Sequence, residues 1–378
     1  MHSTPHIALF MTYGGSLKIW QDAGILRREM SLYQALCARG AKISIVSYAD
    51  SSDRDYFSEE FAQAGITLLT RPDCLPMRLY AKTIGWVHEE VLSGANIFKT
   101  NQVFGADEAV RAGRFCSKPV VTRMGFHRLS YRPGEIISQK DAQKQMEREG
   151  PIFRDSRHII APTESIRRNL GVLYGIEPEK ISVVPNFVDV SKIPFSERNV
   201  SELNKFLIVG RLTDQKNIGA LIAALTPEQS LTVIGEGEQR DVLQRMARDL
   251  HKNVSWLGRQ DHTEVLKAMA DHDLFILPSR YEGMPKVVIE AMASGIPVLV
   301  SDAPGNRDVV RHGENGFLCG LSADSLAGSI RSIKENREEI PRIIRQARKD
   351  AETLYSLETI ADQEIGLYQT LMLGEKKA

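Results

Sequence analysis

The sequence has few cysteines and no excess of charge of either sign. Its four cysteines, Cys37, Cys74, Cys116 and Cys319, form no C-x-x-C pair, which argues against a structural zinc site or a disulfide framework and fits a reducing cytosol. The 48 basic residues balance the 48 acidic ones. A protein that coats nucleic acid over its whole surface is therefore not expected.

Long apolar runs are also missing. No segment approaches the roughly 18 uninterrupted apolar residues of a membrane span, and the N-terminus lacks the basic start and long apolar run of a signal peptide. We expect a soluble, cytoplasmic protein that is at most peripheral at the inner face of the cell membrane, with no nucleic-acid partner.

Several catalytic motifs do not occur. The absence of G-x-S-x-G and H-E-x-x-H argues against a serine hydrolase or a zinc protease. Asp271-His272-Asp273 has the spacing of a metal-binding D-x-D, but it ends a predicted helix, where an aspartate serves as a cap or turn residue. Gly235-Glu236-Gly237 has Arg240 in place of the third glycine of a dinucleotide fingerprint, so NAD binding is not indicated.

What the sequence does contain is a regular alternation of short apolar runs and longer amphipathic stretches. Its 378 residues are 42% hydrophobic and 25% charged, which fits two domains with their own cores. Predicted strands in the first half are Ile7–Phe10, Lys42–Ser47, Ile66–Leu69, Ile97–Thr100, Pro119–Thr122, His158–Ile160 and Ile181–Val184. Those in the second half are Phe206–Val209, Leu231–Ile234, Val254–Leu257, Leu274–Leu277, Val298–Val300 and Phe317–Cys319.

This alternation predicts parallel sheets covered by helices on both faces. The fold class is therefore α/β, with two doubly wound, Rossmann-like domains facing each other across a cleft that holds the ligands. We assign residues 1–190 to an N-terminal domain and 191–350 to a C-terminal domain, with a linker candidate at Ser196–Lys205. Residues 351–378 are predicted to form a helix that packs back across the domain junction.

Two loops that follow predicted strands carry candidate functional residues. In the loop after Phe206–Val209, Arg211 and Lys216 are suited to a diphosphate, because an anion there also meets free backbone N–H groups. Solvated charges beside a turn are an equal alternative for this pair alone.

The loop after Leu274–Leu277 leads into EGMPKVVIEAMASGIPV, where Pro285 suits the first position of a helix. Glu282 precedes that helix and Glu290 lies within it. The two carboxylates are suited to accept hydroxyl hydrogen bonds from different rings of one extended ligand. Glu290 stands among apolar neighbours, so a buried carboxylate there needs a partner.

These segments resemble a known family. The G-R-L…K-N loop, the E-G-M-P-x-x-x-x-E-A-M-A-x-G-x-P-V segment and GNRDVVRHGENGFL occur in the order typical of retaining glycosyltransferases of the GT-B fold, family 4 (glycosyl transferases group 1). The resemblance covers about residues 162 to 317 closely. The N-terminal half is similar more loosely, through its first strand, Gly14-Gly15 and PVVTRMGFHR.

The resemblance implies that residues 1–190 form the acceptor side and residues 191–350 the nucleotide-sugar donor side. It also implies a role for each matching residue. Arg211 and Lys216 would bind the donor diphosphate, and Glu282 the hydroxyls of the transferred sugar; these three are the implied catalytic residues. Glu290 would bind the ribose hydroxyls of the nucleotide. The full set implied to bind the donor is Gly14, Gly15, Gly210, Arg211, Lys216, Glu282, Gly283, Met284, Pro285 and Glu290. Neither a metal nor another cofactor is implied, since the nucleotide-sugar is a substrate.

The acceptor side is predicted from a basic stretch between Ala109 and Gly134, which contains six basic residues and no acidic one. Many family members have a histidine directly after the strand matching Val120–Thr122, whereas this chain has Arg123 there. The candidates for an anionic acceptor or an anionic membrane surface are Arg123, His127, Arg128 and Arg132. A solvated charged face and an exposed loop histidine are the alternatives.

The expected activity is therefore that of a retaining hexosyltransferase. It would move a sugar from a UDP- or GDP-linked donor to a hydroxyl of a glycan or lipid-linked glycan, in the synthesis of a cell-surface polysaccharide or lipopolysaccharide. Two alternatives stay open: a sugar-nucleotide epimerase of the same architecture, and an inactive protein that binds a sugar nucleotide.

Overall fold

The protein consists of two compact α/β units. The structure, a computed structural model, describes residues 4–130, 138–197 and 202–375. One unit contains the chain up to Pro185 together with the segment from Leu357 onward, and the other contains Asn186–Ser356. In both, parallel strands form one sheet between helices, so the predicted fold class of two doubly wound domains is confirmed.

The sheet of the first unit has seven strands in the order β3-β2-β1-β4-β5-β6-β7, and all the pairings are parallel. The strands are β1 His6–Phe10, β2 Lys42–Val46, β3 Ile66–Leu69, β4 Ile97–Thr100, β5 Val120–Arg123, β6 His158–Ala161 and β7 Ile181–Val183. The order reverses between β1 and β4, and the crevice beyond the ends of these strands is the usual ligand position in such a sheet.

The first-unit helices cover the two faces of this sheet. Those in the N-terminal part of the chain are α1 Leu17–Asp22, α2 Leu26–Ala38, α3 Glu59–Gln63, α4 Met77–Val87, α5 Glu89–Leu92, α6 Ala106–Cys116, α7 Gln139–Asp155 and α8 Glu164–Tyr174. Helix α2 shows why the pattern works: Leu26, Met30, Tyr33 and Leu36 recur at helical spacing and are all buried. The helix gives way to a turn at Gly40, whose φ of 89° favours glycine.

The sheet of the second unit has six parallel strands in the order β10-β9-β8-β11-β12-β13. Its strands are β8 Lys205–Val209, β9 Ser230–Ile234, β10 Asn253–Gly258, β11 Leu274–Leu277, β12 Val298–Ser301 and β13 Phe317–Cys319. Its helices are α9 Ile218–Ala224, α10 Arg240–Asp249, α11 His262–Asp271, α12 Lys286–Ser294, α13 Ala323–Glu335 and α14 Ile340–Leu354. The order reverses between β8 and β11, which pair directly. Every predicted strand of both units is present, with its ends shifted by a single residue at most.

The chain passes between the units at Pro185–Asn186 and at Ser356–Leu357. The linker predicted at Ser196–Lys205 is therefore wrong. Leu203 is buried in the second unit's core, and the backbone N–H groups of Asn204 and Lys205 both donate to the Asp273 carboxylate. Asn204 and Lys205, at the end of the predicted linker, are therefore fixed within the second unit.

The segment from residue 351 onward does not form a single helix. It contains the end of α14, in the second unit, and then α15, Leu357–Glu375, in the first unit. Helix α15 packs beside α2, where Arg39 pairs with Glu358 and Asp362 at 2.6 Å each. In the described ranges, no helix combines the length and the apolar character needed to cross a membrane.

A buried cluster of charges fixes α15 to the sheet of the first unit. The Glu364 carboxylate lies 2.7 Å from Lys99 Nζ and 3.2 Å from Arg123 Nε, and all three side chains are buried. Tyr368 donates to the same carboxylate at 2.7 Å. Burial opposes ionisation of Glu364, but attraction to Lys99 and Arg123 outweighs it and lowers the pKa of this carboxyl. Glu364 is thus the counter-ion for two cations at the ends of β4 and β5.

Candidate active site

The loop after β8 presents two basic residues at the carboxyl end of that strand. Arg211 is exposed, and Lys216 ends a short 3-10 turn, Asp214–Lys216. The stem of Lys216 crosses Gly210 so closely that a Cβ at Gly210 would lie 3.2 Å from Lys216 Cε. After the turn, Asn217 adopts a left-handed conformation, and its side chain donates to the Leu321 carbonyl at 2.9 Å. The lysine is therefore held over the strand end.

Gly235 and Gly237 support this loop from behind. A Cβ at Gly235 would lie 1.9 Å from the Gly210 carbonyl oxygen, and one at Gly237 would lie 2.3 Å from that of Leu212. The Leu212 N–H donates to the Glu236 carbonyl at 2.9 Å. The G-E-G segment thus has a packing role, because only glycine permits two backbones to approach so closely.

The loop after β11 lies against the loop after β8 and brings a carboxylate to the lysine. Glu282 Oε1 is 2.5 Å from Lys216 Nζ, and both side chains are largely buried. Two hydrogen bonds to backbone carbonyls join the same loops: the Gln215 side chain donates to the Tyr281 carbonyl, and the Arg280 N–H donates to the Gln215 carbonyl, both at 2.8 Å. Two residues 66 positions apart in sequence, Lys216 and Glu282, therefore form one charged pair where the strand order reverses.

Gly305 packs against the backbone of the loop that carries Glu282. No role for Gly305 was predicted from the sequence. Its φ is 83°, and a Cβ there would lie 2.1 Å from the Glu282 carbonyl oxygen. The Glu282 N–H donates to the Pro304 carbonyl at 3.1 Å. The signal was present in the sequence, since Gly305 opens the GNRDVV segment that belongs to the recognised pattern.

Helix α12 begins at Lys286, one residue later than predicted, and Pro285 is its N-cap residue. Gly283, Met284 and Pro285 are buried in the segment that leads into it. Asn186, which sequence reasoning missed, donates from its side chain to the Met284 carbonyl at 2.9 Å. This contact fixes the backbone that precedes the helix.

Glu290 lies within α12 and is 4% exposed, as expected from its apolar neighbours. The partner that a buried carboxylate requires is His262, whose Nε2 lies 3.1 Å from Glu290 Oε1. His262 is the first residue of α11 and was not identified from the sequence. The histidine side chain itself is 45% exposed.

In the first unit, Gly14 and Gly15 form a tight turn after β1. Gly14 has a φ of 75°, and the Gly15 N–H donates to the Thr12 carbonyl at 2.6 Å. A Cβ at Gly15 would lie 2.7 Å from that carbonyl oxygen. Gly105, in the loop after β4, packs against Tyr13 in the same way. Both loops lie at the reversal point of the first sheet.

Two of the four acceptor-side candidates are buried inside the first unit. Besides its pairing with Glu364, Arg123 donates from Nη2 to the Pro185 carbonyl at 2.9 Å. His127 is 1% exposed, so its interpretation as an exposed loop histidine is wrong. Neither side chain presents an exposed face to a ligand. Arg128 is exposed, and Arg132 lies outside the described residues.

His127 belongs to a hydrogen-bonded network around Glu149. Its Nε2 lies 3.2 Å from Glu149 Oε2, and its Nδ1 lies 2.8 Å from Ser130 Oγ. Tyr174 donates to the same Glu149 oxygen at 2.6 Å. Burial opposes ionisation of Glu149, yet the hydrogen bond and attraction from His127 outweigh it and lower the pKa of this carboxyl. The network explains why a histidine occupies a buried position here.

The described residues hold no group of three or more His, Cys, Asp or Glu side chains arranged to bind a metal ion. Within Asp271-His272-Asp273, Asp273 accepts two backbone N–H groups at the start of β8. His272 lies 2.7 Å from the Thr232 hydroxyl. Asp273 and His272 thus form hydrogen bonds with residues at the start of β8 and in β9.

Two protein families match this chain, one in its N-terminal half and the other in its C-terminal half. The family described as Glycosyltransferase Family 4 matches residues 24–192, and the one described as Glycosyl transferases group 1 matches residues 189–350. Among curated relatives, the glycogen synthase of Mycobacterium tuberculosis is 28% identical over 282 residues, covering 72% of this chain and 68% of that protein. A UDP-Gal:α-D-GlcNAc-diphosphoundecaprenol α-1,3-galactosyltransferase of Escherichia coli is 32% identical over 186 residues, covering 43% of this chain and 47% of that protein.

Solved structures have the same fold over nearly the whole chain. HepE of Anabaena in complex with UDP-glucose has a TM-score of 0.72 and 20% identity, covering 97% of this chain and 99% of that chain. A sucrose-phosphate synthase of Thermosynechococcus elongatus has a TM-score of 0.79 and 18% identity, covering 98% of this chain and all of that chain.

Proposed function

This chain belongs to the glycosyltransferases of the GT-B fold, and on that premise we propose that it is a retaining hexosyltransferase. Its donor is a UDP- or GDP-linked sugar, and its acceptor is a hydroxyl of a glycan or lipid-linked glycan. The observation that carries the proposal is the pair of Lys216 and Glu282 at the reversal point of the second sheet. Ligands of doubly wound sheets bind at such a point.

The chemistry of this pair suits a nucleotide diphospho-sugar. An ammonium group has three N–H donors, so Lys216 can bind Glu282 and still donate to phosphate oxygens. The Glu282 carboxylate only accepts, which suits the hydroxyls of a sugar. Arg211, exposed on the same loop, adds a guanidinium that binds phosphate through two parallel hydrogen bonds.

In the proposed reaction, the bond between the anomeric carbon and the diphosphate oxygen breaks, and the acceptor oxygen bonds to that carbon. Negative charge develops on the leaving diphosphate, where Arg211 and Lys216 stabilise it. The acceptor hydroxyl gives its proton to the departing phosphate, on the same face of the sugar, and the anomeric configuration is retained. Such a route requires no separate general base.

The nature of the donor is supported by the solved relative crystallised with UDP and with UDP-glucose. Relatives also include a lipopolysaccharide core glycosyltransferase of Rhizobium meliloti and an amylovoran biosynthesis glycosyltransferase of Erwinia amylovora. We therefore place the activity in the synthesis of a cell-surface polysaccharide or lipopolysaccharide. We propose that the site works without a metal, with Arg211 and Lys216 as the cations that bind the diphosphate.

The acceptor is proposed to bind the first unit, with Arg128 and Arg132 as candidate contacts. Exposed apolar side chains at Leu79, Trp86 and Phe115 accompany basic residues of α4 and α6. An aromatic and basic surface of this kind suits peripheral contact with an anionic membrane, on which a lipid-linked acceptor would lie at the cytoplasmic side.

Binding of the donor can be tested by thermal shift with UDP, GDP, ADP, CMP and NAD. One nucleoside diphosphate should stabilise the protein clearly, since a ligand at 100 times its Kd adds about 2.7 kcal/mol. A shift with NAD alone would contradict the proposal.

Catalysis can be tested with Arg211→Ala and Lys216→Ala, each of which should lower kcat on the order of a hundredfold or more. Lys267→Ala is the matched control, because Lys267 pairs with Glu264 on an exposed surface of the same unit and should leave kcat unchanged. Near-normal turnover in both loop variants would refute the assignment. Product analysis separates a transferase, which forms a glycoside with an acceptor, from an epimerase, which needs none.

A further inference from the structure

Glu290 and His262 form a contact that connects a buried carboxylate to the protein surface. In α12, Glu290 is flanked by Ile289 and Ala291, both fully buried. The carboxylate oxygen Oε1 lies 3.1 Å from His262 Nε2, and nearly half of the His262 side chain is exposed. A carboxylate in apolar surroundings is stable only with a hydrogen-bond donor. His262 supplies that donor from a position that is exposed to solvent.

The position of His262 is fixed by the start of α11. Asp261 caps this helix, and its Oδ1 accepts the Glu264 N–H at 2.9 Å. The segment before it leaves β10 at Gly258, whose carbonyl accepts the Gly235 N–H at 2.8 Å. Gly235 in turn packs on Gly210, at the start of the loop that carries Lys216. The backbone before His262 is therefore hydrogen-bonded to Gly235, the same residue that packs against the Lys216 loop.

The direction of the hydrogen bond follows from the chemistry of the two groups. An ionised carboxylate accepts hydrogen bonds and cannot donate them. Nε2 of His262 therefore carries a hydrogen, and this N–H group donates a hydrogen bond to Oε1 of Glu290. The second oxygen, Oε2, keeps its lone pairs for hydroxyl groups of a ligand.

We propose that His262 is a positioning residue for Glu290 and, through it, sets the preference of the site for a nucleotide with an intact ribose diol. This inference rests on the proposed function, in which Glu290 binds the ribose. By occupying Oε1, His262 orients the carboxylate so that Oε2 meets the diol. Without the histidine, Glu290 loses that orientation and the diol loses its acceptor, while the diphosphate contacts at Arg211 and Lys216 stay intact.

The test compares a nucleotide with its diol-free analogue. Isothermal titration with UDP and 2′,3′-dideoxy-UDP, and with the corresponding GDP pair, gives the diol preference as a ratio of two Kd values. In His262→Ala, the preference should fall about tenfold, through weaker binding of UDP or GDP and unchanged binding of the dideoxy analogue. The donor KM should rise by a similar factor, with kcat little changed.

A conservative variant and two controls make the result specific. His262→Gln should restore the preference, because its side-chain amide can donate to Oε1 from nearly the same place. His251→Ala removes an exposed histidine elsewhere in the second unit and should change neither Kd. Glu290→Gln should abolish the diol preference.

Each other outcome overturns the inference in a recognisable way. Equal loss of both ligands in His262→Ala, with no recovery in His262→Gln, would give the histidine a purely structural role. Loss of the diol preference in Glu290→Gln but not in His262→Ala would leave the proposed function standing and refute this inference alone. If neither UDP nor GDP binds the wild-type protein, the proposed function fails, and the inference fails with it.

Discussion

Replacement of Glu364 by glutamine removes a charge that two buried cations share. The side chain keeps its size, but Lys99 and Arg123 lose their counter-ion inside the first unit. A cation left in the interior without a partner is costly because no water replaces the lost carboxylate. We expect the first unit of the Glu364→Gln variant to unfold far more readily than that of the wild type.

The size of the effect follows from the burial of the cluster. Removing one partner of a buried ion pair costs about 3–5 kcal/mol. In a unit of about 200 residues, each kcal/mol lowers Tm by about 2–4 °C. The expected decrease in Tm of the first unit is therefore about 6–20 °C, measured by circular dichroism or scanning calorimetry.

A matched control lies on the same helix. Glu358 pairs with Arg39, but the Glu358 side chain is 71% exposed, so Glu358→Gln should cost less than about 1 kcal/mol. Equal Tm values for the two variants would refute the role of Glu364 as a buried counter-ion. The double variant Lys99→Met with Glu364→Gln should recover part of the loss, because it removes one of the unpaired cations.

The pH dependence gives an independent check. Because the pKa of Glu364 is lowered in the folded protein, its stabilising effect is complete above the ordinary glutamate pKa. The effect is lost as the pH falls through the lowered value. The difference in stability between the wild type and Glu364→Gln should therefore shrink in acid, and a difference that grows in acid would contradict this account.

Two further predictions concern other sites. Gly305→Ala should lower Tm and raise the donor KM, because the new Cβ collides with the Glu282 carbonyl. The control is Gly313→Ala, where φ is also positive but the space is open, so the substitution should cost only about 1–2 kcal/mol of backbone strain. Equal effects of the two variants on the donor KM would contradict a role for the contact between Gly305 and Glu282. Tyr174→Phe should destabilise the first unit by about 1–3 kcal/mol at neutral pH, because it removes a hydrogen bond to the buried Glu149 carboxylate. Since the pKa of Glu149 is lowered, that loss of stability should diminish as the pH falls through the lowered value. Chemical denaturation of the wild type and the variant at pH 7 and in acid measures this loss, and an equal loss at both pH values would contradict the prediction.

The strands and their order of appearance were predictable because each is a short apolar run between turn or helix signals. The runs at Leu274–Leu277 and Phe317–Cys319 match the observed strands to the residue. The boundary between the units was not predictable in this way. Polar composition at Ser196–Lys205 resembled a linker, but the contacts of its backbone with Asp273 depend on a residue far along the chain.

In the candidate site, too, features that depend on local sequence were predictable and contacts between distant residues were not. Lys216 and Glu282 could be named as candidates because their loops follow predicted strands and match a recognisable pattern, but their pairing could not be predicted. The burial of Arg123 was not, because its counter-ion comes from a helix at the other end of the sequence. His262 was missed because nothing local to it marks a partner for Glu290. Each failure involves a polar side chain whose partner is distant in sequence, which periodicity and spacing do not reveal.

Because α15 belongs to the first unit, the ribosome makes the last piece of that unit only after the whole of the second. Domains usually fold in the order in which they are synthesised. Here the second unit, Asn186–Ser356, is one continuous segment and is the first to be fully available for folding. Until Glu364 emerges, Lys99 and Arg123 lack the carboxylate with which both pair, and burial of both is unfavourable. We therefore expect the first unit to complete its folding only after α15 has been synthesised.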